Sequence, residues 1–159
     1  MQSDQVDKTI RTKFMDIHNK ATAGELHNWR KDANGSLAEI IVLDQFSRNL
    51  YRGTSKAFAQ DGMALVLAQE AIAKGFEEEL SSDQVPFLYL PFMHSESLVI
   101  HERAVELYTA LGQEMSLDFE MKHKAILERF GRYPHRNKIL GRESTPEEIE
   151  FLNGPDSSF

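Results

Sequence analysis

Apolar side chains recur every three or four residues through most of this chain, which is the spacing of one face of an α-helix. The first such stripe predicts a helix over residues 4–23, which Gly24 ends. Its inward positions are Val6, Ile10, Phe14, Ile17 and Ala21. No stretch alternates apolar and polar residues as a half-buried strand does, so the pattern predicts an all-α protein.

A second helix is predicted to begin at Ser36, because a serine followed three residues later by Glu39 is a capping-box pattern. The preceding pair, Asn34 and Gly35, is typical of a turn. The apolar run that follows, LAEIIVLDQF, predicts a buried helix that reaches about Tyr51.

Glycine and proline residues divide the rest of the chain. Thr54 or Ser55 is the predicted cap of the next helix, which tolerates Asp61 and Gly62 in its interior. After an acidic loop at residues 77–79, a helix near Pro86 is expected to kink or end at Pro91, just before His94. Two longer helices are predicted over 97–111 and 115–130. Gly112 and Gly131 are their stops, and Leu98 and Phe119 are among their inward residues.

Thr145 is the predicted N-cap of a last short helix, with Pro146 at its first position and Glu148 at its third. Residues 154–159 are expected to form a loose tail. Consecutive helices joined by short turns favour antiparallel neighbours, packed as a bundle or as a stack of helix pairs. The chain of 159 residues is therefore predicted to be a single domain, residues 1–159, of about seven helices.

The composition narrows the class of protein. An apolar fraction of 41% with 27% charged residues is ordinary for a globular protein, and the absence of cysteine excludes disulfides and thiol nucleophiles. A net charge of -7 argues against nucleic-acid binding, and no apolar run is long enough for a membrane span. The polar N-terminus lacks the apolar core of a signal peptide, so the cytoplasm is the expected location.

Cations are concentrated in one stretch, RFGRYPHRNKILGR at residues 129–142, which contains no acidic residue. Its glycines and proline predict a non-helical turn between two helices. The side chains of Arg132, His135, Arg136 and Arg142 beside a helix N-terminus suit a phosphate or carboxylate ligand. The alternative is structural: these arginines neutralise internal acids such as Asp44, Asp61 or Glu96, or they cap helix ends.

A second polar block, LDQFSRN, lies within the predicted buried helix. Asp44 and Arg48 are four residues apart and can pair along one face, and Arg52 continues that row by one turn. Gln45 and Asn49 lie beside them. Because buried polar groups need partners, the block either lines a pocket or forms a network that ties helices together.

A third block, MHSES, follows Pro91 and contains His94 and Glu96. Histidine and glutamate suit a general base or a metal ligand, and His101, Glu102 and His123 follow later in the chain. No HExxH or other recognised ligand motif is present, so no metal site is predicted. Glycine-rich phosphate loops and nucleophile elbows are also missing from the sequence.

The blocks LDQFSRNLYRG, FLYLPFMHSE and RFGRYPHRNKILGRESTPEEIEFL resemble the bacterial family catalogued as domain of unknown function 924. The similarity extends over about residues 10–159. The resemblance implies an all-helical domain similar to tetratricopeptide-repeat folds, and it implies no reaction or cofactor.

Two departures from the family pattern affect the expectations. Family members usually have a proline where this chain has Ser47, which puts a kink at that point in doubt. They also usually begin with an aromatic-rich segment that would precede this chain. Without this segment, apolar surface would be exposed. A second copy of the chain, in a homodimer, is one candidate to cover that surface.

The family's polar blocks match the candidate site residues of this chain. The leading hypothesis is that the three blocks form one pocket for a small anionic ligand, with His94, Glu96 and His135 as candidate catalytic residues. The rival hypothesis is a tetratricopeptide-like interaction module in which the blocks are a structural network. The candidate ligand-binding residues are Asp44, Gln45, Arg48, Asn49, Arg52, Arg132, Arg136, Asn137 and Arg142.

Overall fold

The computed structural model describes residues 3–159, and this part of the chain is helical without strands. The all-α prediction is confirmed. The α-helices are α1 (Asp4–Thr22), α2 (Ala33–Ile41), α3 (Ser47–Leu50), α4 (Asp61–Ala73), α5 (Val85–Met93), α6 (Leu98–Leu111), α7 (Glu114–Phe130) and α8 (Pro146–Leu152). A π-helical turn, Val42–Phe46, joins α2 to α3 without a break. None of the helices within residues 3–159 is both long and apolar enough to cross a membrane.

The described chain forms two compact units, one ending at Ser95 and the other beginning at Glu96. The first unit contains α1 to α5, and the second contains α6 to α8. The expectation of a single domain over 1–159 stays a prediction, and its first two residues lie outside the described part.

Helix α1 forms where its apolar stripe predicts, but the inward placement of Val6 is wrong, because its side chain is 47% exposed. The side chain of Ser3 accepts a hydrogen bond from the amide of Val6 at 3.4 Å, and Asp4 and Asp7 lie in the first turn, where the helix dipole favours negative charge. Inward-facing Ile10 and Ala21 are buried, as is His18. Together these side chains anchor α1 in the first unit.

The predicted start of the second helix at Ser36 is wrong. Asp32 is the N-cap, because its Oδ1 accepts from the amide of Gly35 at 2.7 Å, and α2 begins at Ala33. Gly35 was predicted to belong to a turn, but it lies within the first turn of α2. A Cβ atom at this position would lie 2.0 Å from the carbonyl oxygen of Trp29, so only glycine allows the two backbones to approach so closely.

The single buried helix predicted to reach about Tyr51 is divided into α2 and α3 by the π turn at Val42–Phe46, which immediately precedes Ser47. In a π turn the hydrogen bond spans five residues instead of four, and such turns are frequent at functional sites. Three of its residues are buried: Val42, Leu43 and Asp44. The turn therefore places the carboxyl group of Asp44 in the interior of the first unit.

The segments between α3 and α6 differ from the predictions in detail. Thr54 precedes only a short 3-10 turn, Ser55–Ala57, and α4 begins at Asp61, so Asp61 and Gly62 open a helix rather than interrupt one. The acidic run forms a 3-10 turn, Phe76–Glu79, in place of a plain loop. The predicted end of α5 at Pro91 is wrong, because the helix continues through Pro91 to Met93, the residue before His94. The alternative, a kink at Pro91, stays a prediction.

In the second unit, α6 and α7 end at the predicted glycines, which adopt left-handed φ angles of 73° at Gly112 and 70° at Gly131. The capping box of Thr145 and Glu148 at the start of α8 is also confirmed. The inward placement of Leu98 and Phe119 is wrong, because these side chains are 39% and 47% exposed. The buried positions of these helices include polar residues beside apolar ones, namely His101 on α6 and Glu120 and His123 on α7.

Candidate functional site

The first unit joins Asp44 on the π turn to His94, the residue that follows α5. The Oδ1 atom of Asp44 lies 2.7 Å from the Nδ1 atom of His94. The side chain of Asp44 is 1% exposed and that of His94 is 17% exposed. A buried carboxylate therefore faces a partly accessible imidazole.

Two further side chains contact the same carboxyl group. Gln45 donates from Nε2 to Oδ2 of Asp44 at 2.5 Å, and Arg48 lies 3.5 Å from Oδ1. Arg48 also donates to the main-chain oxygen of Asp44 at 2.7 Å and forms a two-bond ion pair with Asp61 at 2.9 and 3.0 Å. The predicted pairing of Asp44 with Arg48 is therefore present, and Asp61 holds the arginine from the other side.

The surroundings of Asp44 keep it ionised at neutral pH. Burial alone would raise the pKa of Asp44, but the charge and hydrogen bond of His94, together with Arg48 and Gln45, outweigh burial and hold that pKa below its ordinary value. An ionised carboxylate only accepts hydrogen bonds, so the proton between the two groups belongs to Nδ1 of His94. This fixes the orientation and the tautomer of the imidazole.

Asn49 and Arg52, from the same polar block, contact a different acid. Both donate to Asp7 on α1: Asn49 at 2.8 Å, and Arg52 through two bonds at 2.8 and 2.9 Å. The hydrogen bonds from Arg52 and then Asn49 lower the pKa of Asp7 to about 2. In the structure these two residues tie α3 and the loop after it to α1 rather than joining the group around Asp44.

The second unit places Glu96 among residues of the basic turn. Arg142 donates to both carboxylate oxygens of Glu96 at 2.9 and 3.0 Å, and the amide of Tyr133 donates to Oε1 at 2.8 Å. Burial raises the pKa of Glu96, but the bonds from Arg142 and Tyr133 and the charge of Arg136 lower it overall. Glu96 is thus held ionised as an anchor of the basic turn.

A parallel arrangement fixes the start of α8. Arg132 donates to both oxygens of Glu148 at 2.7 and 3.0 Å, and the side chain of Asn137 donates to the same carboxylate at 3.0 Å. The hydrogen bond from Arg132 is the main reason that the pKa of Glu148 is lowered to about 2. Asn137 also accepts from Arg142 at 3.0 Å, which connects this pair to the one around Glu96.

Tyr133 is the aromatic centre of the basic turn. The guanidinium carbon of Arg136 lies 4.9 Å from the centre of its ring, and the ring of His135 lies 5.5 Å away. Its hydroxyl lies 3.0 Å from Nε2 of His101, whose Nδ1 lies 2.6 Å from Glu120. Arg136 and His135 therefore surround a buried tyrosine that α6 and α7 hold in place.

Several of these partners were not among the predicted site residues. Asp7, Glu120 and Glu148 each accept bonds from a buried or half-buried polar side chain. The capping-box pattern identified Glu148 as a helix cap but gave no sign of its pairing with Arg132. Within residues 3–159, no three His, Asp or Glu side chains come together in the arrangement of a metal site.

The structure defines a class of all-helical proteins with buried polar side-chain networks in each of two units. The chain belongs to the bacterial family of unknown function DUF924, which matches residues 1–156. It is similar to a solved structure of a protein of unknown function from Agrobacterium tumefaciens. The two are 41% identical over 97% of this chain and 88% of that chain, with a TM-score of 0.93. No curated protein matches the chain.

Proposed function

We propose that the first unit binds a small phosphate- or carboxylate-bearing ligand at His94 and that the pair of Asp44 and His94 exchanges a proton with it. The observation that carries the proposal is the 2.7 Å contact between Asp44 Oδ1 and His94 Nδ1 at a π turn. A carboxylate that orients a histidine in this way is a recurring device of general acid–base catalysis.

The chemistry follows from the tautomer. With Nδ1 donating to Asp44, the Nε2 atom is the nitrogen of His94 that takes up or releases a proton during a reaction. When His94 gains a proton, the carboxylate of Asp44 stabilises the imidazolium. The charged ring then attracts an anion as well as donating to it.

Arg48 supports the choice of an anionic ligand. Its guanidinium lies beside Asp44 and its side chain is 20% exposed. With His94 protonated, the two positive charges of Arg48 and His94 equal the two negative charges of Asp44 and Asp61, so an anion meets no excess of negative charge. The predicted catalytic roles of Glu96 and His135 stay predictions.

Thermal unfolding at low salt tests this function against inorganic phosphate, phosphate monoesters, monocarboxylates and dicarboxylates, at pH 6 and pH 8. A ligand at a hundred times its dissociation constant adds about 2.7 kcal/mol, or about 5 to 10 °C for a domain of this size.

Matched variants decide whether the response comes from this site. His94→Gln removes the imidazole and is expected to abolish the shift, whereas His27→Gln changes an exposed histidine of the same unit and should leave it intact. A panel that produces no shift with the folded parent, or a shift that His94→Gln retains, contradicts the proposal.

A second candidate function is a protein-interaction module in which the polar blocks are a structural network. What favours it is the pairing of arginines with carboxylates within each unit, which is the structural alternative expected for these residues. The pairs are Arg48 with Asp61, Arg52 with Asp7, Arg132 with Glu148 and Arg142 with Glu96. A ligand panel without response, together with one partner protein co-purifying at equal stoichiometry with the folded chain, would support this candidate instead.

A further inference from the structure

The peptide group between Leu43 and Asp44 is held by a side chain. The hydroxyl of Ser47 donates to the carbonyl oxygen of Leu43 at 2.6 Å. That oxygen belongs to the same rigid peptide plane as the amide nitrogen of Asp44. The bond from Ser47 therefore fixes one of the two peptide planes that flank Asp44.

Ser47 is in turn held by His18 on α1. The Nε2 atom of His18 lies 2.8 Å from the Ser47 hydroxyl oxygen, and Ser47 is 0% exposed. A hydroxyl has one proton, which Ser47 donates to Leu43, so it accepts from His18. Nε2 of His18 therefore carries a proton, and burial lowers the pKa of His18, which favours the neutral ring.

The peptide group on the other side of Asp44 is held in the same manner. Arg48 donates to the carbonyl oxygen of Asp44 at 2.7 Å, and Asp61 holds Arg48. In an ordinary α-helix the carbonyls of Leu43 and Asp44 would accept from the amides four residues later. At the π turn, side chains from positions 47 and 48 donate to these carbonyls.

From this geometry we infer that His18 and Ser47 are positioning residues for Asp44: they set the orientation in which its carboxylate meets His94. The inference rests on the proposed function, because it concerns the same pair of Asp44 and His94. It predicts a change in the hydrogen bond between these two residues, which is measurable without any ligand. In this role His18 and Ser47 act through the main chain next to Asp44.

Proton NMR of the full chain provides the test, because an imidazole N–H bonded to a carboxylate resonates downfield of the amide protons. Asp44→Asn identifies the His94 signal in the parent by removing it. His18→Ala and Ser47→Ala are expected to broaden the signal or move it upfield. His18→Gln, which keeps an N–H donor at about the same distance from the backbone, is expected to retain it.

A variant in the second unit separates positioning from general destabilisation. Ile126→Ala removes buried apolar contacts in the second unit and should lower stability without changing the His94 signal. If His18→Ala does not fold, Ser47→Ala and His18→Gln carry the test. An absent parent signal, or a parent-like signal in folded Ser47→Ala, overturns the inference. A signal that responds as expected while His94→Gln leaves ligand binding unchanged rejects only the proposed function.

Discussion

Asp44 Oδ1 lies 2.7 Å from His94 Nδ1, so one hydrogen bond joins two residues that are fifty positions apart in the chain. One residue belongs to a π turn and the other follows the end of α5. A bond between such distant segments stabilises the first unit as well as defining a site. Loss of the carboxylate charge is therefore expected to affect both.

Asp44→Asn is expected to lower the free energy of unfolding by about 3 kcal/mol, because it leaves neighbouring cationic and amide donors without a buried acceptor charge. The new amide also places an N–H₂ group opposite Gln45 or His94, both of which donate to the native carboxylate. Urea unfolding at pH 7 measures the effect. Asp16→Asn, at an exposed position of α1, should change stability by less than about 0.5 kcal/mol. Equal stabilities of the two variants would contradict the structural role of Asp44.

Ser47→Ala is expected to cost about 2 kcal/mol, because the carbonyl of Leu43 loses a donor and Nε2 of His18 loses its acceptor in the interior. Ser55→Ala is the matched control, since that serine is exposed. Chemical denaturation of both variants beside the parent gives the comparison. A Ser47→Ala variant as stable as the parent would mean that water satisfies both groups.

The boundaries of α6, α7 and α8 were predictable because their signals are local. Gly112 and Gly131 permit the left-handed φ that ends a helix, and Thr145 with Glu148 caps one within four residues. The start of α2 was not predictable in this way. It depends on the approach of Gly35 to the backbone of Trp29, which only the packed chain creates.

The candidate site was predictable as a set of residues but not as a set of contacts. The spacing of Asp44 and Arg48 gave their contact correctly, because they lie one turn apart. The same row was expected to continue to Arg52, which pairs instead with Asp7, forty-five residues away. Helix α3 ends at Leu50, so Arg52 lies beyond the helix and the row does not continue to it. The proline expected at Ser47 would have lacked an amide hydrogen, and here the serine hydroxyl donates to the carbonyl four residues earlier.

His18 is expected to make stability fall as the solution becomes more acidic. Burial lowers the pKa of His18 from its ordinary value of 6.5, so below that pH the unfolded chain binds a proton that the folded chain does not. Stability is then lost as pH decreases through 6.5 and continues to fall until the lower folded pKa is reached. The slope of unfolding free energy between pH 7 and pH 5 should be smaller in His18→Gln than in the parent. His27→Gln, at an exposed position, should keep the parent's slope.

Gly35→Ala and Gly62→Ala are expected to act in opposite directions although both glycines lie in the first turn of a helix. The new Cβ at position 35 would lie 2.0 Å from backbone of Trp29, so the two segments must separate at a cost of about 3 kcal/mol. At position 62 the Cβ meets no atom within 4 Å, and alanine should stabilise α4 by about 0.5 to 1 kcal/mol. Thermal unfolding distinguishes the two, and a tolerated Gly35→Ala would disprove the close contact.

Glu148→Gln is expected to weaken the second unit at neutral pH and to remove part of its sensitivity to acid. The pKa of Glu148 is lowered from 4.5 to about 2, chiefly by Arg132, so its contribution is present above pH 4.5 and is lost as pH falls toward 2. Glutamine cannot accept both bonds from Arg132, and its amide would face the donor of Asn137. We expect a loss of about 2 kcal/mol at pH 7 that shrinks as pH decreases, measured by urea unfolding at several pH values.

Glu147→Gln is the matched control for this prediction, because Glu147 is an exposed carboxylate in the same helical turn. Both variants remove one negative charge near the N-terminus of α8, so the dipole contribution is similar in the two. Only Glu148→Gln breaks the pair with Arg132. If the two variants lose equal stability and keep the same pH profile, the capping box alone, and not the ion pair, stabilises this end of the chain.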